Sequence, residues 1–360
     1  MMPKVPALIT SGVMGLLMAG CSSLANAIAD ALRKKAVAGN DAIATAFWFR
    51  VVGVAAYVAI WLGYAMLDHG GQFAPQIAMA LGRDAHSVVS MRSVAVYLAA
   101  DVALIAIATA LYFRAVQQSP LSVTIPMLSF TPVFLLPAGF LMLGEAPTMA
   151  QIVGVVLVAG GSILIHGNQQ RGQASEDSVN TLRTRLRALW TALMRDRGSQ
   201  AMLVVALIYS VTNPLDKKLV GHYGAYLYAT IYSAASAVIL LGWQLMQEAR
   251  HLQLTRKAWP WTAAAGVTDA ISLLLLFLAF QWTQVASAIT VKRSGAIITV
   301  LLGWMFFGET HLASRLAATC IMILGVCLLS LRVTTWEMFL IVTLSLGLLI
   351  GQSCLGSRLS

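Results

Sequence analysis

Charge is what this sequence has least of. Asp, Glu, Lys and Arg make up 11% of its 360 residues, against 59% hydrophobic ones. Soluble domains usually carry about 25% charged residues. With a mean hydropathy of +0.78, too much apolar surface is present for a soluble globule to hide. Lipid is therefore the solvent for most of the chain. Strict apolar/polar alternation is lacking too, which excludes a membrane barrel. The apolar runs are instead about 18–23 residues long, the length at which a helix crosses a bilayer.

Cysteine is scarce. Cys21, Cys320, Cys327 and Cys354 lie in apolar segments without CxxC spacing, which excludes a disulfide framework and leaves packing thiols. The motifs of catalysis are lacking as well. There is no HExxH, no P-loop and no GxSxG between a strand and a helix, and His166, His222 and His311 stand singly. No enzyme, metal or cofactor is expected. The net charge of +10 sits mostly in connectors, where a basic excess orients a membrane protein rather than binding nucleic acid. Lys4 followed by an apolar stretch and Met18-Ala19-Gly20-Cys21-Ser22-Ser23 imitates a lipoprotein signal. The same stretch is needed as the first helix of a repeat, so Cys21 is expected to stay buried and unlipidated.

What is present is a succession of helices. The pattern predicts spans at 7–28, 42–66, 93–114, 121–143, 148–166, 201–219, 224–246, 259–281, 285–307 and 312–331. An eleventh apolar run, 338–355, either spans or lies against the bundle. The connector 167–200 is basic, with Leu182, Leu186, Leu189 and Leu193 at helical spacing opposite its arginines. It reads as an amphipathic helix on a headgroup surface or as a solvated linker.

The connector divides two similar halves. At an offset of 164 residues, Gln117 falls on Gln281, and Gly139-x4-Gly144-Glu145 recurs as Gly303-x4-Gly308-Glu309. Ser23-x2-Asn26 recurs as Ser210-x2-Asn213. The expected fold is all-α: a polytopic bundle of two five-helix repeats, 7–166 and 201–331. An odd number of spans per half inverts the second repeat and places a binding site between the halves, near the bilayer midplane.

The stretches SPLSVTIPMLSFTPVFLLPAGFLMLGEAPT (119–148) and VASAITVKRSGAIITVLLGWMFFGET (285–310) resemble the drug/metabolite transporter superfamily in its EamA-type permease branch. The resemblance runs over about residues 7–331. It implies a ten-helix transporter with a cytoplasmic N-terminus, whereas the Lys/Arg distribution favours an outside one. The eleventh run and the long connector depart from that pattern.

Ionisable groups inside a membrane cost about 2.5–3.5 kcal/mol each at a helix centre, so each marks a candidate site. Lys292 and Arg293 stand about seven residues, or roughly 10 Å, into the ninth predicted helix. Two adjacent cations there need an anion, which a substrate phosphate or carboxylate could supply. The alternatives are snorkelling and pairing with Asp101 or Asp269. The pair also resembles the phosphate-binding Lys-Arg on the ninth helix of plastid triose-phosphate translocators. Those also use a lysine of the sixth helix, a position that Lys217 would match unless it is an interfacial anchor. Arg50, beside Trp48, is a substrate ligand or a snorkelling residue. Asp101 and Asp269, on equivalent helices, are proton-coupling carboxylates or ion-pair partners. Gly144, Glu145, Gly308 and Glu309 read as structural or gating elements. Pro126, Pro132 and Pro137 should kink their helix.

The sequence thus reads as a transporter of a small anionic or zwitterionic metabolite, working by alternating access in a bacterial inner membrane. The expected partners are that solute and the lipid bilayer, with the protein a monomer or homodimer. Export of neutral amphiphiles or drugs is one alternative, and a lipid-carrier flippase another. Export of cationic drugs ranks lower, because residues 7–28 contain no acid.

Overall fold

The computed structural model describes residues 5–67, 91–144, 148–170, 196–246 and 252–307, with Ile321, Leu324 and Gly325. All elements among them are helical. They are α1 (Val5–Val37), α2 (Ala42–Leu67), α3 (Met91–Gln118), α4 (Leu121–Thr124), a 3-10 turn (Ile125–Phe130), α5 (Thr131–Leu143), α6 (Met149–Gln170), α7 (Arg197–Tyr223), α8 (Ala225–Met246), α9 (Trp259–Ala279), α10 (Val285–Ser294) and α11 (Ala296–Phe307).

Helix α1 runs well past its expected end at 28. Nothing in Asp30–Val37 breaks a helix, and Asp30 and Arg33 pair one turn apart. Gly39, at φ 72°, ends it. Asp41 then caps α2 by accepting from the backbone N–H groups of Ile43 and Ala44 at 3.0 and 2.8 Å.

Two predicted helices are broken. The 121–143 segment divides into α4, the 3-10 turn and α5, with Pro126 and Pro132 in the first turns of the second and third pieces. Proline fits there because it has no N–H to donate. Pro137 lies inside α5. The 285–307 segment divides at Gly295 into α10 and α11. Gly144 closes α5 in a left-handed conformation, φ 67°, its N–H meeting the Gly139 and Phe140 carbonyls. That is a helix-ending role. Glu145, Gly308 and Glu309, most of the 167–200 connector, nearly all of 312–331 and the whole of 338–355 lie outside the described residues.

Six helical stretches among the described residues are long and apolar enough to cross a membrane: Val13–Val37, Ala42–Gly63, Ser93–Gln118, Ala225–Met246, Trp259–Ala279 and Val285–Phe306. Thr131–Leu143 is shorter. Helix α7 is equally long but carries Asp216, Lys217 and Lys218.

Packing between the halves is reciprocal. Helix α1 lies chiefly along α9, and α7 chiefly along α3. These are first and third helices of opposite halves. The second helices, α2 and α8, pack on each other. A two-fold relation between the halves requires this exchange. Close crossings rest on glycine where backbones touch: a Cβ on Gly266 of α9 would lie 2.8 Å from the Phe49 carbonyl oxygen of α2. The bundle's outer face is apolar, with Leu17, Val96, Leu141 and Val238 exposed. Cys21 is exposed on that face, so the expectation that it is buried is wrong. Its neighbours at helical spacing, Leu17, Leu24 and Ile28, face outward with it.

Candidate functional site

A cavity of about 60 Å³ lies between the halves. A water needs about 10–15 Å³ by that measure, so a few waters or one small polar group would fill it. Its walls come from α1, α2 and α3 of the first half and α7, α8, α9 and α10 of the second.

The repeated Ser-x2-Asn sequence places both asparagines, Asn26 and Asn213, in the wall. The serines one turn earlier hold backbone. Ser23 donates to the Lys292 carbonyl oxygen at 2.9 Å, and Ser210 to that of Leu207 at 2.6 Å. The first bond meets α10 near its end, where the Lys292 carbonyl also accepts from the Gly295 N–H at 3.3 Å. Only glycine fits at 295: a Cβ would stand 2.7 Å from the Ser23 carbonyl oxygen.

Lys292 and Arg293 both line the cavity. The Arg293 guanidinium lies over the Tyr209 ring, 5.3 Å from its centroid, and its Nε is buried without a hydrogen-bond partner. Among the described residues, no carboxylate forms a salt bridge with either cation.

The other two cations of the wall have carboxylate partners, although their Nε atoms, like that of Arg293, are buried without a hydrogen-bond partner. Asp269 takes Arg33 on one oxygen and Arg50 on the other, the second at 3.3 Å. Arg33 also pairs with Asp30 at 2.5 Å. Tyr112 and Asn26 donate to Asp30 at 2.6 and 3.1 Å. Arg50 donates to Thr109 at 2.8 Å and lies over the Tyr232 ring. Arg50 is therefore buried in the wall and does not snorkel. Asp269 forms its ion pairs with Arg33 and Arg50, and none with Lys292 or Arg293 among the described residues.

Asp101 belongs to a separate cluster. Fully buried, it meets the Tyr228 hydroxyl at 2.6 Å, and the same hydroxyl meets Asp216 at 2.6 Å. Its equivalence with Asp269 thus does not bring the two carboxylates together. Lys217 stands apart from the cavity, donating to the Thr283 carbonyl oxygen at 3.2 Å. That bond ties α7 to the turn after α9.

Sequence reasoning missed Asp30, Arg33, Asp216 and Tyr228. The statement that the first helix has no acid also needs correcting: α1 extends to Val37 and holds Asp30, which is buried and paired with Arg33. The signal available was the absence of any helix breaker between Ile28 and Val37.

Six long apolar helices, reciprocal packing of two halves and a charged cavity between them define a polytopic membrane protein with an internal repeat. The EamA-like transporter family matches residues 13–167 and 196–331, one match for each half. The chain belongs to that family, and it is a multi-pass membrane transporter. No curated protein matches it. Several solved structures are similar, among them a crystal structure at a TM-score of 0.56 and 12% identity, over 90% of this chain and 96% of the other. That likeness concerns the fold alone.

Proposed function

We propose that this protein transports a small organic anion or zwitterion whose phosphate or carboxylate binds Lys292 and Arg293. One observation carries the reading. Of four cations around the cavity, Arg33 and Arg50 have carboxylate partners, whereas Lys292 and Arg293 make no salt bridge among the described residues. A buried charge without a partner is costly, and an anionic group arriving in the cavity would supply one. Arginine presents a planar fork to such a group and lysine a movable point charge. The density of charge around the cavity speaks against a neutral amphiphile, which favours apolar walls.

The same reading extends to architecture. Five spans per half, related by a two-fold axis in the membrane plane, would let the halves rock about the site for alternating access. The reciprocal packing supports that relation. The basic connector 167–200 would lie at the membrane surface, and a bacterial inner membrane suits the composition.

Proteoliposome counterflow tests the substrate class. Phosphorylated, carboxylic and amino-acid metabolites are screened beside neutral amphiphiles. Exchange confined to the acidic or zwitterionic compounds is expected. Exchange of neutral amphiphiles alone would overturn the reading.

A further inference from the structure

A tyrosine hydroxyl has one hydrogen to donate. Tyr228 stands at 2.6 Å from a carboxylate oxygen of Asp101 and at 2.6 Å from one of Asp216. Only one of these contacts can be made by the tyrosine's own hydrogen. If both acids were ionised, the other contact would press an oxygen lone pair against a carboxylate at hydrogen-bond distance. The arrangement closes when one of the acids brings a second proton.

We propose that Asp101, Tyr228 and Asp216 form a proton-binding site, with one proton shared between the two carboxyl groups in this state. Asp101 is the group that holds it. Its side chain is fully buried, and its Oδ1 has no hydrogen-bond partner. An ionised carboxylate so placed would leave an uncompensated charge out of water. As an acid, Asp101 donates its Oδ2 proton to the Tyr228 oxygen, and Tyr228 donates its own to ionised Asp216.

The surroundings favour the charge on Asp216. It lines the cavity, as do Lys292 of α10 and Arg50 of α2. Among the described residues, Tyr228 and Tyr232 of α8 are further titratable groups that interact with the two acids. A proton entering the cavity reaches Asp216 first and passes through the Tyr228 hydroxyl to Asp101.

The proton also sets the charge of the cavity and its wall. Arg33, Arg50, Lys292 and Arg293 line the cavity with Asp216 and Asp269, while Asp30 and Asp101 lie behind them, bonded to Arg33 and Tyr228. With every group ionised the charges cancel. With one proton on the pair a single positive charge is left over, and a monoanion at Lys292 and Arg293 would neutralise it. Proton and anion binding would then reinforce each other, as co-transport of one proton with each negative charge requires. This consequence rests on the anionic reading of the site; the proton site itself does not.

Infrared difference spectroscopy of the full-length protein in lipid, without substrate, tests the proposal. Near neutral pH the wild type should show the carbonyl stretch of a protonated carboxyl group, at a pH where ordinary carboxylates are ionised. The band should be lost in Asp101→Asn, which removes the acid that holds the proton, and should shift in Asp216→Asn, which removes the acceptor of the Tyr228 hydroxyl. Tyr228→Phe, which changes no charge, should shift the band or abolish it, and decides the matter if the asparagine variants do not fold. No band in the wild type, a band that survives Asp101→Asn, or one unmoved by Tyr228→Phe would overturn the proposal. No transport is read, so failure here leaves the anion reading standing, and loss of the anion reading leaves this one.

Discussion

The hydroxyl of Ser23, in the first helix, is bonded at 2.9 Å to the backbone carbonyl of Lys292, in the ninth predicted span. A small residue of one half thus fixes the backbone that presents, from the other, two cations without a salt bridge among the described residues. The contact is close because position 295 is glycine. Gly295→Ala would push its Cβ against the Ser23 backbone and should destabilise the protein by about 1–3 kcal/mol. Ser23→Ala removes one hydrogen bond and should cost about 1 kcal/mol. Thermal unfolding in detergent compares them. Equal stabilities of wild type and Gly295→Ala would mean that the crossing is not tight.

Asp269 is the hub of the ion-pair network, and the pairing makes its mutants distinguishable. Asp269→Asn leaves Arg33 and Arg50 short of a buried counter-charge, at a cost of about 3–5 kcal/mol. Adding Arg50→Gln should restore part of that loss. Adding Arg293→Gln should restore less, since Arg293 forms no salt bridge with Asp269. Unfolding midpoints of the two double mutants check this. Better rescue by Arg293→Gln would place the aspartate's partner elsewhere.

At the surface end of α7, Asp196 caps the helix, accepting from the Ser199 backbone N–H at 2.8 Å and from the Ser119 and Ser199 hydroxyls at 2.5 Å each. Partial burial pushes its carboxyl up, but the hydrogen bonds outweigh burial and hold it below the usual carboxylate range. A carboxyl depressed on folding contributes stability above its unfolded value and loses it as pH falls through the folded one. Asp196→Ala should therefore cost about 1 kcal/mol at neutral pH, and the difference from wild type should shrink in acid. Unfolding midpoints measured from neutral to acidic pH test it; a difference that does not narrow would contradict the account.

The membrane class and the repeat were legible because both depend on local pattern: long apolar runs, and Gly-x4-Gly-Glu recurring at a fixed offset. Lys292 and Arg293 were legible because two adjacent cations inside an apolar run are costly wherever the rest of the chain goes. Asp30 and Arg33 were not, since charges at the end of an apolar run look like a connector until tertiary contacts bury them. Asp216, next to Lys217 and Lys218, looked like a helix-end anchor for the same reason. Tyr228 carries no charge that would single it out within an apolar run. Its role depends on α3 and α7 converging on α8, which no local pattern encodes. The break at Gly295 was hidden as well, because a lone glycine is tolerated within a helix and only the approach of Ser23 gives it a purpose.

The claim that Lys292 and Arg293 bind the substrate is tested most directly by measuring counterflow and thermal stability together on Lys292→Gln/Arg293→Gln. Removing two cations that have no carboxylate partner among the described residues relieves their mutual repulsion, so the double mutant should unfold at or above the wild-type temperature. Its exchange of the acidic compound that the wild type accepts should fall at least about tenfold, the loss of roughly 1.4 kcal/mol of binding. Wild-type exchange by a stable double mutant would contradict the account.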